Sequence, residues 1–350
     1  MRPWSEMEGL LLKIRDDKVP VLDMRDREGF YKGPRLRGSV HMDEDTVMSG
    51  KSCWLLPDKH EPLAVIPSSA SSVIAVSNFL AARNWTNITC LENSQELWSL
   101  VTALGMHDDE NTPATKLRRR LLFKPCALLH EEIGRIEASL LAGARLKSQG
   151  SENHCSFLVY EPGCGRARNL AWLALKEHDN VTWRCLGVDL WYSALQDVQD
   201  LFQHSGVPPE QACLRFNNIC PHTGALQPMS MREAQRGQLK SHTHIAFEST
   251  PIPTATCHLI LCVRFLERAF LPTIPQLLAP GGFILFCTFV DAEGTQRFGR
   301  PRGENHLLQP SELARVLGPH QGLEILRDDT AVINDGRELS MFVARKRFDA

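Results

Sequence analysis

The chain has 350 residues, of which 43% are hydrophobic and 23% charged, and a formal net charge of −2. That length suggests two domains, each able to bury a core. The near-neutral balance argues against a surface built wholesale for nucleic acid or membrane, and no run approaches the roughly 18 apolar residues that span a bilayer.

Residues 1–107 alternate short strands and helices. Residues 19–24, 63–66 and 88–91 are apolar enough for strands, and 72–84 carry Val73, Val76, Phe79 and Leu80 at helical spacing. No signal-peptide pattern is expected in the first residues. Residues 108–116 are polar with a proline and are expected to be a linker. A helix is expected over 117–147, broken near Pro125, and the basic run at 118–120 reads as its solvated face.

From residue 157 the pattern becomes strand, glycine turn, helix, strand, helix. Strands are expected at 157–160, 182–188, 213–216, 258–263 and 283–289, and helices at 169–176, 193–204, 271–278 and 311–317. Alternation of this kind implies a parallel sheet. Two last strands, 323–326 and 339–344, joined through Asn334-Asp335-Gly336, read as an antiparallel hairpin. Residues 229–256, rich in Gln, Ser, His and Thr, read as a mobile insertion. The eleven cysteines are scattered without a Cys-x-x-Cys pair. They are expected to be reduced, in a cytoplasmic setting with nuclear entry left open. His242 and His244 lack the Cys or carboxylate neighbours of a metal site, so none is expected.

The central motif is Glu161-Pro162-Gly163-Cys164-Gly165, between a strand and a helix, and the next strand ends in Asp189. Glycines let the backbone turn sharply and approach a ligand closely. A carboxylate at the next strand end can accept the hydroxyls of a ribose. Dinucleotide enzymes need a third glycine beneath a pyrophosphate, where this chain has Ala167 or Arg168. An acid opening the turn suits a cationic cofactor without phosphate, so Glu161 favours S-adenosyl-L-methionine (SAM) over NAD.

On these residues the segment resembles the class I SAM-dependent methyltransferases, most closely the small-molecule, tellurite-resistance type. Leu122-Phe123-Lys124-Pro125 resembles the lead-in, Leu186-Gly187-Val188-Asp189-Leu190 the second motif, and Leu278-Ala279-Pro280-Gly281-Gly282 the turn before the fifth strand. The resemblance implies a Rossmann-like, seven-stranded domain over 117–350 with an antiparallel last strand. It implies cofactor contacts at Glu161, Gly163, Cys164, Gly165, Asp189, Leu190, Asn218 and Ile219. Arg264, Arg300 and His306 follow the fourth and fifth strands and are candidates for an anionic substrate, with Arg268 a weaker one. No catalytic base is assigned, since a soft nucleophile can be methylated without one.

Residues 1–107 resemble a rhodanese domain, through Val21-Leu22-Asp23-Met24-Arg25, Arg37-Gly38-Ser39-Val40-His41 and Asn84-Trp85-Thr86-Asn87-Ile88. The loop where a rhodanese holds its cysteine is here Pro67-Ser68-Ser69-Ala70-Ser71, and Cys53 and Cys90 lie outside it. Without a thiolate there is no sulfur transfer by that route, so a non-catalytic module is expected, with Asp23 and Arg25 as a structural ion pair or cap. The acceptor of the methyl group is expected to be a small molecule. An RNA or protein acceptor recognised by the first domain, and a binding protein built from two retired enzymes, are the alternatives. Oligomeric state is not legible.

Overall fold

The computed structural model describes residues 4–108, 112–147, 154–177, 180–229, 245, 250–296, 301 and 304–348. The chain divides into two compact units, Met1–Lys124 and Pro125–Ala350.

The first unit is a four-stranded sheet in the order β2-β1-β3-β4, built from β1 (Val21–Asp23), β2 (Val40–His41), β3 (Leu63–Ile66) and β4 (Ile88–Cys90). All pairings are parallel. Parallel strands need covered faces, and both are covered. Helices α1 (Trp4–Asp16) and α5 (Gln95–Ala103) supply Leu11, Ile14, Leu97 and Leu100 to one core, with Val21, Ala64 and Ile66. Helices α3 (Glu44–Met48) and α4 (Val73–Ala81) supply Val47, Val76 and Leu80 to the other, with Leu22, Leu63 and Val65. The short α2 (Arg27–Lys32) is capped by Asp26, whose carboxylate accepts from the Gly29 N–H.

The boundary differs from the expected linker at 108–116. Asp108 is buried, and its carboxylate accepts from Arg120 Nη2 at 2.9 Å and lies 3.5 Å from Arg35 Nε. Helix α6 (Ala114–Arg118) follows, and Leu122 packs into the α3/α4 core. These ion pairs and this apolar contact hold 117–124 to the first unit. Polar composition hid them because the partners of Asp108 are distant in sequence.

The second unit is an eight-stranded sheet in the order β11-β12-β10-β9-β5-β6-β7-β8. Its strands are β5 (Cys155–Pro162), β6 (Val181–Asp189), β7 (Ala212–Ile219), β8 (Leu226–Pro228), β9 (Cys257–Val263), β10 (Leu278–Cys287), β11 (Leu323–Val332) and β12 (Glu338–Lys346). The last strand runs antiparallel between β10 and β11, as expected. The count is eight rather than seven because β8 adds an antiparallel edge to β7. Helices α7 (Ala127–Lys147), α8 (Arg168–Leu175) and α9 (Tyr192–His204) pack on the sheet. The apolar face formed by Tyr160, Ile260, Cys262, Ile284, Phe286 and Phe342 is covered by Ile274, Leu313 and Leu317.

One local expectation changes. The turn at 279–282 lies inside β10, which shifts register between Leu278 and Phe283, with Gly281 at φ +80°. Of the expected insertion at 229–256, residues 230–244 and 246–249 lie outside the described residues. Ile245 and Ile252 are buried, and Thr250 O accepts from Arg215 Nη1 at 2.7 Å. Among the described residues no helix is long and apolar enough to cross a membrane.

Candidate functional site

From β5 the chain winds outward through α8, β6, α9 and β7 on one side, then returns to β9 on the other. That reversal leaves a crevice at the carboxyl ends of β5 and β9, the place where open parallel sheets bind ligands. Glu161 and Pro162 end β5 there, level with Gly187 and Val188 of β6.

The turn that follows is left-handed at Gly163 (φ +64°), Gly165 (φ +53°) and Ala167 (φ +42°). Gly163 has no room for a side chain, since a Cβ would lie 2.2 Å from the Phe265 ring, on the loop after β9. Gly165 differs, because a Cβ there would meet nothing within 4 Å. Its open side is the surface a ligand can approach. Asp189 ties this turn down: Oδ2 accepts from the Gly165 N–H at 2.6 Å and Oδ1 from the Trp191 N–H at 2.7 Å. One carboxylate thus fixes the loops after β5 and β6 and keeps lone pairs to accept from hydroxyls.

Glu161 is buried. Its Oε1 accepts from Asn169 Nδ2 at 2.7 Å, and its Oε2 has no hydrogen-bond partner among the described residues. Loss of water pushes this carboxyl up to about 8. Cys126 and Asp189 push in the same direction, while the Asn169 amide and the Leu170 N–H pull it back. Asn169 is held in turn, because its Oδ1 accepts from the Cys126 N–H at 2.9 Å. A buried carboxyl with one oxygen unanswered is costly unless a donor or cation completes it. An unanswered carboxylate oxygen in this position fits a ligand ammonium such as that of SAM, which would donate to it.

The other expected residues separate by position. Cys164 is buried with its sulfur against Gly187, where a Cβ would lie 2.9 Å away, and its thiol is pushed up by burial. Only its backbone belongs to the turn. Leu190 and Trp191 are half-exposed just past Asp189, and the Arg166 guanidinium lies 4.6 Å from the Trp191 ring centre. Asp189 stands opposite Phe216, so Asn218 and Ile219 continue β7 beyond it on the same sheet edge, paired with β8.

Of the residues expected to meet a substrate, Arg264 is exposed at the end of β9, with φ +53° and its N–H donating to Cys287 O at 2.8 Å. Its guanidinium lies 5.9 Å from the Phe289 ring. Arg300 lies outside the described residues, and His306 is exposed in a short turn at Glu304–His306. Arg268 is a structural clamp: it donates to both Glu312 oxygens at 2.6 and 2.9 Å and to Leu307 O at 2.8 Å. Sequence reading missed Asn169 as a site residue. Its signal in the sequence was that Arg168-Asn169 falls where the family this segment resembles often carries Arg-Asp.

In the first unit, Arg25 donates to Asp23 at 2.7 Å and to Pro34 O at 2.8 Å, and stacks 4.1 Å from the Trp98 ring centre. Both charges are buried, which makes this a structural pair. The loop after β3 receives a carboxylate from within the chain: Glu44 Oε2 accepts from the Ser68 N–H at 2.8 Å and from Ser72 Oγ at 3.0 Å.

No family model matches the chain. It is 24% identical over 364 residues to the uncharacterized protein UNK4.09 of Schizosaccharomyces pombe, covering 99% of each. Among solved structures it is similar to a SAM-dependent methyltransferase from Aquifex aeolicus, at 13% identity and a TM-score of 0.34, over 58% of this chain and 88% of that one. It is also similar to the Burkholderia thailandensis 1,6-didemethyltoxoflavin-N1-methyltransferase with bound 1,6-didemethyltoxoflavin and S-adenosylhomocysteine. The identity there is 15% and the TM-score 0.35, over 64% and 92% of the two chains.

Proposed function

We propose that Pro125–Ala350 is a SAM-dependent methyltransferase acting on a small-molecule acceptor, a thiol or a soft anion. The observation that carries this reading is the buried Glu161 Oε2 without a partner, beside an open Gly165 at the switch point of the sheet. Glu161 would take the cofactor's ammonium, Asp189 its ribose hydroxyls, and the Gly163–Gly165 backbone would line its path. Leu190, Asn218 and Ile219 would border its adenine. Bound SAM would supply an electrophilic methyl group on a sulfonium. The chain's own task would then be alignment and exclusion of water. Arg264, on the same sheet edge, would hold an anionic acceptor, and Arg300 and His306 are assigned to that side from sequence alone. For the first unit we propose a rhodanese-like binding or regulatory module, with Glu44 filling the loop where that family carries its reactive sulfur.

The test is calorimetric titration of the full chain with S-adenosylhomocysteine (SAH). Saturable binding to one site is expected. Absence of binding by a folded chain would sink the enzyme reading. A methyl-transfer screen over thiols, selenite, tellurite and bulk tRNA then separates a small-molecule acceptor from RNA.

A further inference from the structure

In the first unit, strand β4 ends the sheet. It pairs with β3 along one side, and among the described residues no strand lies along the other. Asn87 O accepts from the Leu63 N–H at 3.0 Å, and the Leu91 N–H donates to Val65 O at 2.8 Å. Main-chain groups alternate in direction along a strand. Residues 87, 89 and 91 therefore address β3, and Ile88 between them turns its N–H and C=O toward the uncovered edge. An edge of this kind is a template for another extended segment.

Beside that edge is a cavity of about 530 Å³, the size of a ligand site and far larger than a packing void. Its lining comes from both faces of the sheet. Val73 and Ile74 of α4 lie with Ile88 on the face of the α3/α4 core, and Met7 and Leu10 of α1 lie with Leu91 on the face of the α1/α5 core. Two helices thus overhang β4 and leave between them a slot where a fifth strand would lie. Both walls carry apolar side chains into water. Ile74 is 74% exposed, and Trp4, three residues before Met7 on the same face of α1, is 53% exposed. Such side chains around a groove mark an interaction site, and tryptophan is a frequent anchor of one. Glu92, just past the carboxyl end of β4, is the one charged residue lining the slot among the described residues.

We infer that this slot binds an extended peptide segment of a partner protein, which adds to β4 as a fifth strand. A strand in that place has a helix over each face, so its side chains are apolar on both. The segment is accordingly a short continuous run of valine and isoleucine, with a lysine or arginine at the end that meets Glu92. Main-chain bonds to Ile88 supply affinity, and the apolar walls with Glu92 supply selection. This goes beyond the binding role proposed for the first unit by giving it a site and a class of partner. It is independent of the cofactor reading, because the slot is built wholly within the first unit.

The test uses the full chain and three fluorescein-labelled peptides: a valine–isoleucine run with a lysine at each end, the same run with glutamate for lysine, and the lysine version interrupted by proline, which removes a main-chain donor. Fluorescence anisotropy should show saturable binding of the lysine peptide and binding of the other two weaker by about tenfold or more. Ile74→Asp, at a position exposed enough to accept it without unfolding, should weaken the lysine peptide about tenfold, and Glu92→Gln about threefold. Hydrogen exchange over residues 87–91 should slow when the peptide binds, and SAH affinity should be the same in both variants as in the native chain. A folded chain that does not bind the lysine peptide overturns the inference. So does equal binding of the proline or glutamate peptide, indifference to Ile74→Asp or Glu92→Gln, or unchanged exchange over 87–91.

Discussion

Replacing Glu161 by glutamine keeps the shape of the side chain and removes its titration. Oε1 can still accept from Asn169 Nδ2, so the local hydrogen bond survives. The electrostatics do not. The carboxyl is pushed up to about 8 from an ordinary 4.5, first by burial. Between those values the native state holds a proton that the unfolded chain has released, so stability falls as pH rises through that window. Each pH unit costs about 1.4 kcal/mol, which amounts to about 3 kcal/mol at pH 7. Without cofactor, Glu161→Gln should therefore be more stable than the native chain by about that much at pH 7, with the difference shrinking toward zero near pH 5. The same variant should lose SAH binding, because no carboxylate remains for the ammonium. Urea unfolding at pH 5, 6, 7 and 8, paired with calorimetry, reads both effects. A variant less stable than the native chain at pH 7, a stability difference that ignores pH, or retained SAH affinity would each refute the reasoning. The expected pattern is a functional group held at the expense of stability.

The remaining predictions concern the same crevice and its controls. SAH affinity of the native chain should rise about tenfold per pH unit from pH 6 toward 8 and level off above it, because binding requires the ionised carboxylate; a flat calorimetric profile would count against Glu161 as the partner. Asp189→Ala removes the acceptor of the Gly165 and Trp191 N–H groups and should weaken SAH binding strongly. Asp23→Ala should leave SAH binding alone while destabilising the first unit by about 3–5 kcal/mol, since it strands the buried Arg25 charge. Gly163→Ala should cost about 2–4 kcal/mol in urea unfolding, from positive φ and from collision with the Phe265 ring. Trimming that ring in Gly163→Ala/Phe265→Leu should recover part of the loss.

Much of the crevice was legible in the sequence because its parts are local. A glycine turn between a strand and a helix writes its requirement for positive φ into residues 163–165. An acid at each of two successive strand ends can be read without knowing how the strands pair. The alternation of strands and helices, and a final hairpin, likewise implied a parallel sheet with an antiparallel last strand. Lengths were read less well. Strands β7 and β11 run past their apolar stretches because main-chain pairing, with β8 and β12, extends them through polar residues.

What the tertiary structure decided are the pairings between distant residues. Asp189 acts as the tie across two loops because β5 and β6 lie side by side, which no spacing announces. Asn169 reaches Glu161, and the Cys126 N–H reaches Asn169, because helix packing brings the starts of α7 and α8 together. Asp108 has the polar character of a linker residue, and only the approach of Arg35 and Arg120 makes it part of the first unit's fold. In each case the residue type was visible, but its role depends on a partner supplied by register and packing. The glutamate that opens the turn marks the contrast. Its presence was a fact of sequence, whereas its burial with one oxygen unanswered, the physical reason it favours a cationic ligand, exists only in the folded chain.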